Sequence, residues 1–413
     1  MPFRIALSGL NAATADLKTT GNNIANAGTV GFKSSRAEFV DIFSQSYGGI
    51  SQTAIGGGAR LASVSQQFSQ GNVDFTDNNL DLAINGQGFF VLEDNGAQML
   101  SRAGAFSVDR AGYVVNSGGQ RLQIFPSVGT TSNPTFDTGR LTDLQLSTSE
   151  GQPAATTNIE SIINLNASET IPVIPFDVTG PLPDQYNSST SLTVYDSLGT
   201  SHQATQYFVK AGANTWNAYL YVDNSLVTQG GGNNFGTLNF NADGSLATPV
   251  GGGMAFDAYA PTTGANPITI DLDYGGATQY GSSFSVSALR QDGFASGRLS
   301  GIDIDAEGVI SARYTNGQSL TMGKVAMANV SNPQGLSPQG NTVWSVNYAA
   351  GDMLLGEAGT SSFGLMQSGA LEASNVDIAS QLVNLITAQR NFQANAQVIT
   401  TADTVTQTII NIR

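Results

Sequence analysis

Phe3-Arg-Ile-Ala6-Leu-Ser-Gly-Leu10-Asn-Ala-Ala13-Thr-Ala-Asp-Leu17-Lys-Thr-Thr20-Gly-Asn-Asn-Ile24 places Phe3, Leu10, Leu17 and Ile24 at heptad spacing, with Ala6, Ala13 and Thr20 between them. A seven-residue apolar repeat on an Ala-rich segment predicts a helix with a coiled-coil seam. Asn26, Gly28 and Gly31 predict where it stops.

The far end of the chain carries a matching pattern. Ile378, Leu382, Leu385, Phe392, Ala396, Ile399, Ala402, Val405, Ile409 and Ile412 advance by threes and fours, broken only at Gln389, in a stretch without Gly or Pro. Ser374 or Asn375 is the predicted N-cap, and Asp377 falls in the first turn, where negative charge favours the helix. Each segment taken alone reads as an ordinary amphipathic helix on its own core. Their position at the two extremes, and the shared coiled-coil period, read instead as helices that associate with each other and with other copies. Each large apolar side chain buried contributes roughly 1.5–3 kcal/mol to such an association. Neither seam has a local core, so both ends are expected to lack order in an isolated chain.

Between the ends the character changes. Gly and Asn become frequent, and short β-type runs alternate with turns, as at Leu82-Ala83-Ile84, Phe89-Phe90-Val91-Leu92, Leu192-Thr193-Val194-Tyr195 and Tyr219-Leu220-Tyr221-Val222. An Asp or Asn three residues before a Gly recurs at Asp109–Gly112, Asn241–Gly244 and Asp305–Gly308, each flanked by apolar residues. That spacing predicts β-hairpins built on a type I turn with a left-handed Gly. Asn316-Gly317 adds another hairpin signal. The fold class is therefore a mainly β, multi-domain body with N- and C-terminal α-helices forming a coiled-coil-like assembly domain. Pro172, Pro175, Pro181 and Pro183, with Gly-rich stretches at 229–236 and 249–253, suggest boundaries. The expected plan is 1–27 plus 375–413 as the helical assembly domain and 28–70 as a connector. An inner β-domain follows from 71–149 plus 293–366, with an outer β-domain inserted at 150–292.

Composition excludes several kinds of chemistry. The 413 residues include no cysteine and one histidine, His202. Disulfides, thiolate catalysis, Cys-ligated zinc and multi-His metal sites are thereby ruled out. Net charge is -15 with only 16 basic residues, so there is no basic footprint for nucleic acid or an anionic membrane. Charged residues make up 11%, against an ordinary value of about 25%. Such a surface packs against copies of itself with little charge to desolvate. No apolar run reaches the roughly 20 residues of a membrane helix, and the first residues lack a signal-peptide core.

Asp303-Ile-Asp305-Ala-Glu307-Gly308 resembles the start of a calcium loop, but its twelfth position is Tyr314 rather than an acid, and the hairpin reading is preferred. Asp271 and Asp273 alternate with apolar residues and read as the solvent face of a strand rather than a glycosidase pair. His202 reads as a surface or turn residue, and Trp216 and Trp344 as core anchors. Gly56-Gly57-Gly58 lacks the Lys-Ser/Thr of a phosphate loop. No catalytic, cofactor-binding or metal-binding residue is assigned.

Thr20-Gly-Asn22-Asn23-Ile24-Ala25-Asn26-Ala-Gly-Thr-Val-Gly31-Phe32-Lys33 closely resembles the N-terminal signature of the flagellar axial rod and hook protein family. Ser374-Asn375-Val376-Asp377, Leu385-Ile386-Thr387-Ala388-Gln389-Arg390 and Ile399-Thr400-Thr401-Ala402-Asp403 resemble the hook-type C-terminus. Stretches 66–92 and 100–125 also look like the family's β-domain, including Gln-Gln-Phe-Ser-Gln-Gly71 and Asn85-Gly86-Gln-Gly88-Phe-Phe. About half the chain carries the likeness; 150–292 does so loosely, and its length favours a hook subunit over a distal rod subunit.

The resemblance implies a self-assembling, curved and flexible tube that transmits torque from rod to filament. Terminal helices would line the tube and β-domains form its outer layers. The implied partners are other copies of the chain, the distal rod, hook cap and hook–filament junction proteins, and the flagellar export apparatus. The implied location is the extracellular flagellar hook, reached without a cleavable signal peptide. Some members crosslink through a Cys and a Lys, which a cysteine-free chain cannot do. On this reading Phe3, Leu10, Leu17, Ile24, Ile378, Leu382, Leu385, Phe392, Ile399 and Ile409 carry self-assembly. Asn22, Asn23, Ile24, Ala25, Asn26, Gly31, Phe32 and Lys33 form the family motif. The rival from another class is a secreted β-rich carbohydrate-binding or hydrolytic protein, which leaves the helical ends unexplained.

Overall fold

A computed structural model describes residues 2–42, 56–130, 133–146, 150–360 and 362–411. The chain divides into two compact units. One comprises Met1–Leu146, Gly301–Ala312 and Ser319–Arg413, and the other Ser147–Ser300 and Arg313–Gln318. The expected outer insertion at 150–292 lies within the second unit. Residues 293–300, read from the sequence with the inner body, also cluster there.

In the first unit the apolar repeats become helices α1 (Pro2–Ala25) and α2 (Ile378–Asn411). Gly31 adopts φ +68 just beyond α1, in a conformation that L side chains resist. The cap of α2 differs from expectation. Asp377, directly before the helix, accepts from the amides of Ala379 (2.9 Å) and Ser380 (3.3 Å). Asn375 is unavailable as a cap because its side chain binds the backbone elsewhere. Ile412, read as the last member of the stripe, lies outside the described residues.

The segment expected as a connector contains a two-stranded antiparallel ribbon, Ser35–Asp41 with Ala59–Gln66, in register from Ser35 opposite Gln66 to Asp41 opposite Ala59. It packs along α1. The β-body's main sheet runs Ser319–Val325, Arg121–Thr130, Phe89–Asp94, Ala97–Ser101, Val343–Ser345, Ser337–Gly340. Phe89 to Leu92 are all buried, which explains why that strand reads as a continuous apolar run rather than an alternating one. Phe68, Phe89 and Trp344 meet edge to face at 5.6–6.0 Å between centroids. Ala370–Glu372, the strand just before α2, pairs with Val73–Phe75.

The second unit builds two sheets over one core. The first runs Ser188–Tyr195, Ser201–Gly212, Thr215–Val222, Gly236–Phe240, Leu246–Thr248. The second is centred on Asn158–Asn166, antiparallel to Ser285–Gln291 and parallel to Asp271–Asp273 and Thr278–Tyr280. Ile159, Ile163 and Leu165 from one sheet meet Phe208, Trp216, Leu220 and Leu238 from the other. Trp216 is fully buried and donates its indole N–H to Gln279 Oε1 at 3.0 Å, so its polar tip is paired.

The Asx-x-x-Gly turns form in both units. Gly112, Gly244 and Gly308 take φ +86, +84 and +81 and donate to the carbonyls of Asp109, Asn241 and Asp305. The carboxylate of Asp305 accepts the Val309 amide at 2.7 Å, which is hairpin chemistry rather than ion binding. Asn116–Gly119, Asp196–Gly199 and Tyr314–Gly317 close the same way. The Asn316-Gly317 hairpin is thus one more type I turn with a left-handed Gly.

His202 departs from its reading as a surface or turn residue. It is buried near the start of Ser201–Gly212, on the inward face of an alternating strand. Its Nδ1 lies 2.5 Å from Asp223 Oδ2 and its Nε2 3.3 Å from Asp196 Oδ2.

Candidate functional site

The two helices that open and close the first unit lie antiparallel against each other. Asn23 reaches Gln381 at one end (Nδ2 to Oε1, 3.2 Å), and Gly9 faces Asn395 further along. A Cβ on Gly9 would stand 2.4 Å from Asn395 Oδ1. The buried positions of the pair are Ala6, Ala13, Thr20 and Asn23 on α1 and Ala388 on α2. Close approach is made by small residues, the ones between the heptad positions rather than the heptad residues themselves.

The large side chains of the sequence seam are only partly covered. Phe3 is 51% exposed and Ile409 64%, and Ile378 and Leu382 are also exposed. Leu10, Leu17, Ile24, Leu385, Phe392 and Ile399 are half-buried. Val405 of the stripe is open as well, and so are apolar side chains outside it: Ile5, Leu7, Val383, Ile386 and Val398. Val383, Ile386 and Val398 lie off the first stripe of α2, the signal that a search for one seam passes over. The register set by Gly9–Asn395 and Asn23–Gln381 brings Phe3 beside Val398, Thr401 and Ala402. Those residues, with Val405 and Ile409, line an open apolar groove of about 1000 Å³. The last turns of α2 therefore extend past the start of α1 and carry Val405, Ile409 and Ile410 uncovered.

The motif between Asn22 and Lys33 ties this pair to the β-body. Asn23 makes a two-way bond with the backbone of Ser35, Nδ2 to the carbonyl and Oδ1 from the amide, both 2.8 Å. Asn26 donates to the Asn22 carbonyl at 2.9 Å and accepts from the Thr29 hydroxyl at 3.2 Å, rounding off the helix end. Gly31 passes so close to Ala103 that a Cβ would lie 2.4 Å from its amide nitrogen. Phe32 is half-buried, and its carbonyl accepts from the Asn375 amide at 3.4 Å. Asn22 and Ala25 are exposed.

Lys33 is fully buried. Its Nζ pairs with Glu372 Oε1 at 2.5 Å and donates to the Ser69 carbonyl at 2.8 Å. Arg102 Nη1 reaches the other carboxylate oxygen at 3.2 Å, and the Gly71 amide donates to Glu372 Oε1 at 2.9 Å. Burial pushes the Lys33 ammonium below its ordinary pKa, opposed by the Glu372 charge, and burial lowers Arg102 in the same way. Asn375 completes the join, accepting the Ser34 amide at 2.7 Å and donating to the Gln67 carbonyl at 2.7 Å. The sequence reading did not find Glu372, Arg102 and Gln381. In a chain this poor in charge, a lone acid in the otherwise uncharged Ala370–Glu372 strand is the clue that was available. The arrangement fixes the direction in which the helices leave the body.

Family comparisons cover the same elements. Residues 3–33 match the family "Flagella basal body rod protein" and 83–166 "Flagellar hook protein FlgE/F/G D1 domain". Residues 164–294 match "Flagellar basal body protein FlaE D2 domain", and 367–412 "Flagellar basal body rod FlgEFG protein C-terminal". The chain is 39% identical over 418 residues to the flagellar hook protein FlgE of Escherichia coli K12, covering all of both chains. It is 37% identical to that of Salmonella typhimurium LT2, again over all of both, and 32% to that of Borreliella burgdorferi over 98% of both. The crystal structure of Helicobacter pylori flagellar hook protein FlgE2 shares the fold at TM-score 0.55 and 15% identity, over 73% of this chain and 100% of that one.

Proposed function

This chain belongs to the flagellar hook protein family, and from that premise we propose how it assembles and works. It is a structural subunit of the bacterial flagellar hook, where it polymerises with copies of itself. In our reading the α1–α2 pair is the assembly end. Phe3, Leu10, Leu17, Ile24, Ile378, Leu382, Leu385, Phe392, Ile399 and Ile409 bind helices of neighbouring subunits. The observation that supports this is the exposure of large apolar side chains along both helices, while Ala and Gly make the contact within the pair. At roughly 1.5–3 kcal/mol for each such side chain buried, a few contacts suffice for a durable polymer.

The β units, polar and low in charge, meet their neighbours weakly and slide past them. The product is a curved, flexible tube that carries torque from rod to filament. Its domain plan is 1–27 plus 375–413 for assembly, 28–70 as connector, 71–149 plus 293–366 as inner layer and 150–292 as outer layer. The distal rod, hook cap and hook–filament junction proteins are its other partners. It leaves the cell through the flagellar export apparatus without a cleaved signal and performs no reaction of its own. Deleting residues 378–413 tests the reading. The truncated chain is expected to keep a folded β-body and to form no tubes in electron micrographs. Tubes from that truncation would show that assembly resides elsewhere.

A further inference from the structure

Residues 171–183 of the second unit, Ile-Pro-Val-Ile-Pro-Phe-Asp-Val-Thr-Gly-Pro-Leu-Pro, hold apolar side chains out in water. Val173 is 97% exposed and Leu182 60%, with Ile171 and Ile174 exposed beside them. The segment is nevertheless fixed on both sides of this tip. Before it, Lys210 Nζ donates to the carbonyls of Ala167 and Glu169 at 2.6 and 2.7 Å, and Asn187 Nδ2 to that of Thr170 at 2.8 Å. After it, the Phe176 ring stacks on Tyr219 at 4.0 Å, and the Tyr221 hydroxyl donates to the Val178 carbonyl at 2.8 Å. The amides of Asp177 and Leu182 both donate to Gln185 Oε1, at 3.2 and 3.0 Å, closing the loop on itself. Pro172, Pro175, Pro181 and Pro183 restrict the backbone between these anchors. A ridge that is both apolar and pre-organised is built for contact, because its ordering cost is met before a partner arrives.

We propose that this ridge is a contact surface for a second copy of the chain, seated in the assembled polymer. The proposal rests on the hook-subunit reading. Residues 171–183 contain no Lys or Arg and one acid, Asp177, so a strongly charged partner would find little to pair with. The chain's own surface, drawn from a sequence with 11% charged residues, is a matching occupant. In a helical polymer such contacts are heterologous, so the ridge meets a different face of its neighbour.

The full chain has no cysteine, which allows a direct test. A Val173→Cys variant is labelled with a benzophenone maleimide, assembled and irradiated. The expected product joins two copies of this chain, appears in polymer and is absent from dilute monomer. Labelled polymer that yields no protein crosslink, or a crosslink to a different protein, overturns the proposal. Val173→Asp is expected to raise the critical concentration for assembly by about ten-fold or more, with the monomer's melting unchanged; an unaltered critical concentration also overturns it. If the unsubstituted chain forms no polymer, the hook-subunit reading itself fails and the proposal falls with it. Normal wild-type tubes with silent variants would defeat the ridge alone.

Discussion

Lys33 Nζ sits 2.5 Å from Glu372 Oε1, across 339 residues of sequence, with both side chains wholly shielded from solvent. The pair joins the exit of one terminal helix to the entrance of the other. Removing one member of a buried ion pair leaves an uncompensated charge, at a cost of about 3–5 kcal/mol. Glu372→Gln is expected to be worse than Lys33→Met, because it leaves Lys33 and Arg102 facing each other without their shared anion. Urea denaturation of the monomer measures both, and equal stability of Glu372→Gln and wild type would remove the triad from the account.

The lone imidazole offers a pH test. Burial works against a charge on His202, but its bonds to Asp223 and Asp196 outweigh that and hold its pKa above the ordinary value. Its stabilisation is therefore complete below the unfolded value of about 6.5 and fades as pH rises through the folded one. Burial also works against charge on Asp196, yet the Thr263 hydroxyl, the Thr200 amide and His202 pull its pKa down to about 2. That contribution is present above about pH 3.9 and is lost as pH falls towards 2. The second unit should be most stable between these limits. His202→Gln should flatten its melting profile on the alkaline side, and an NMR titration reads the single imidazole directly. A His202 pKa at or below 6.5 would contradict the geometry.

Gly9 tests the helix pair. A side chain there meets the end of Asn395, so Gly9→Leu should force α1 and α2 apart and abolish tube formation. Gly9→Ala together with Asn395→Ala removes the obstruction, and helix propensity then gains about 1 kcal/mol. This double variant should assemble as well as wild type or better. Sedimentation of polymer compares the two, and tubes from Gly9→Leu would show that the pairing is not required.

Two turn glycines with nearly equal φ separate backbone strain from crowding. A Cβ on Gly308 meets nothing closer than Met366 Cε at 3.5 Å, whereas on Gly112 it would lie 2.3 Å from the Leu146 carbonyl oxygen. Gly308→Ala should cost only the left-handed penalty of about 1–2 kcal/mol. Gly112→Ala must also displace the backbone and should cost clearly more in thermal melting. Equal losses would mean that the backbone at Leu146 yields freely.

Local signals were legible in the sequence, and long-range ones were not. Heptad spacing gave both helices, and Asx-x-x-Gly gave the hairpins, because each pattern is completed within a few residues. His202 was misread because its carboxylate partners are set by strand pairing: Asp223 lies just past the end of the neighbouring strand Thr215–Val222. The N-cap was misplaced because Asn375, a good cap by type, is engaged by Ser34 and Gln67 instead. The ribbon at Ser35–Gln66 was hidden in an expected connector, since its faces are largely exposed and show no clean alternation. Heptad residues were assigned to the seam by size, but the seam is made where side chains are smallest.

The antiparallel pair also imposes a joint requirement. α1 and α2 lie at opposite ends of the described fold, and neither can form the Gly9–Asn395 contact alone. On the proposed assembly reading, the adhesive surface needs both α1 and the 34-residue α2. On that reading the pairing admits to the polymer only molecules in which the two helices have met.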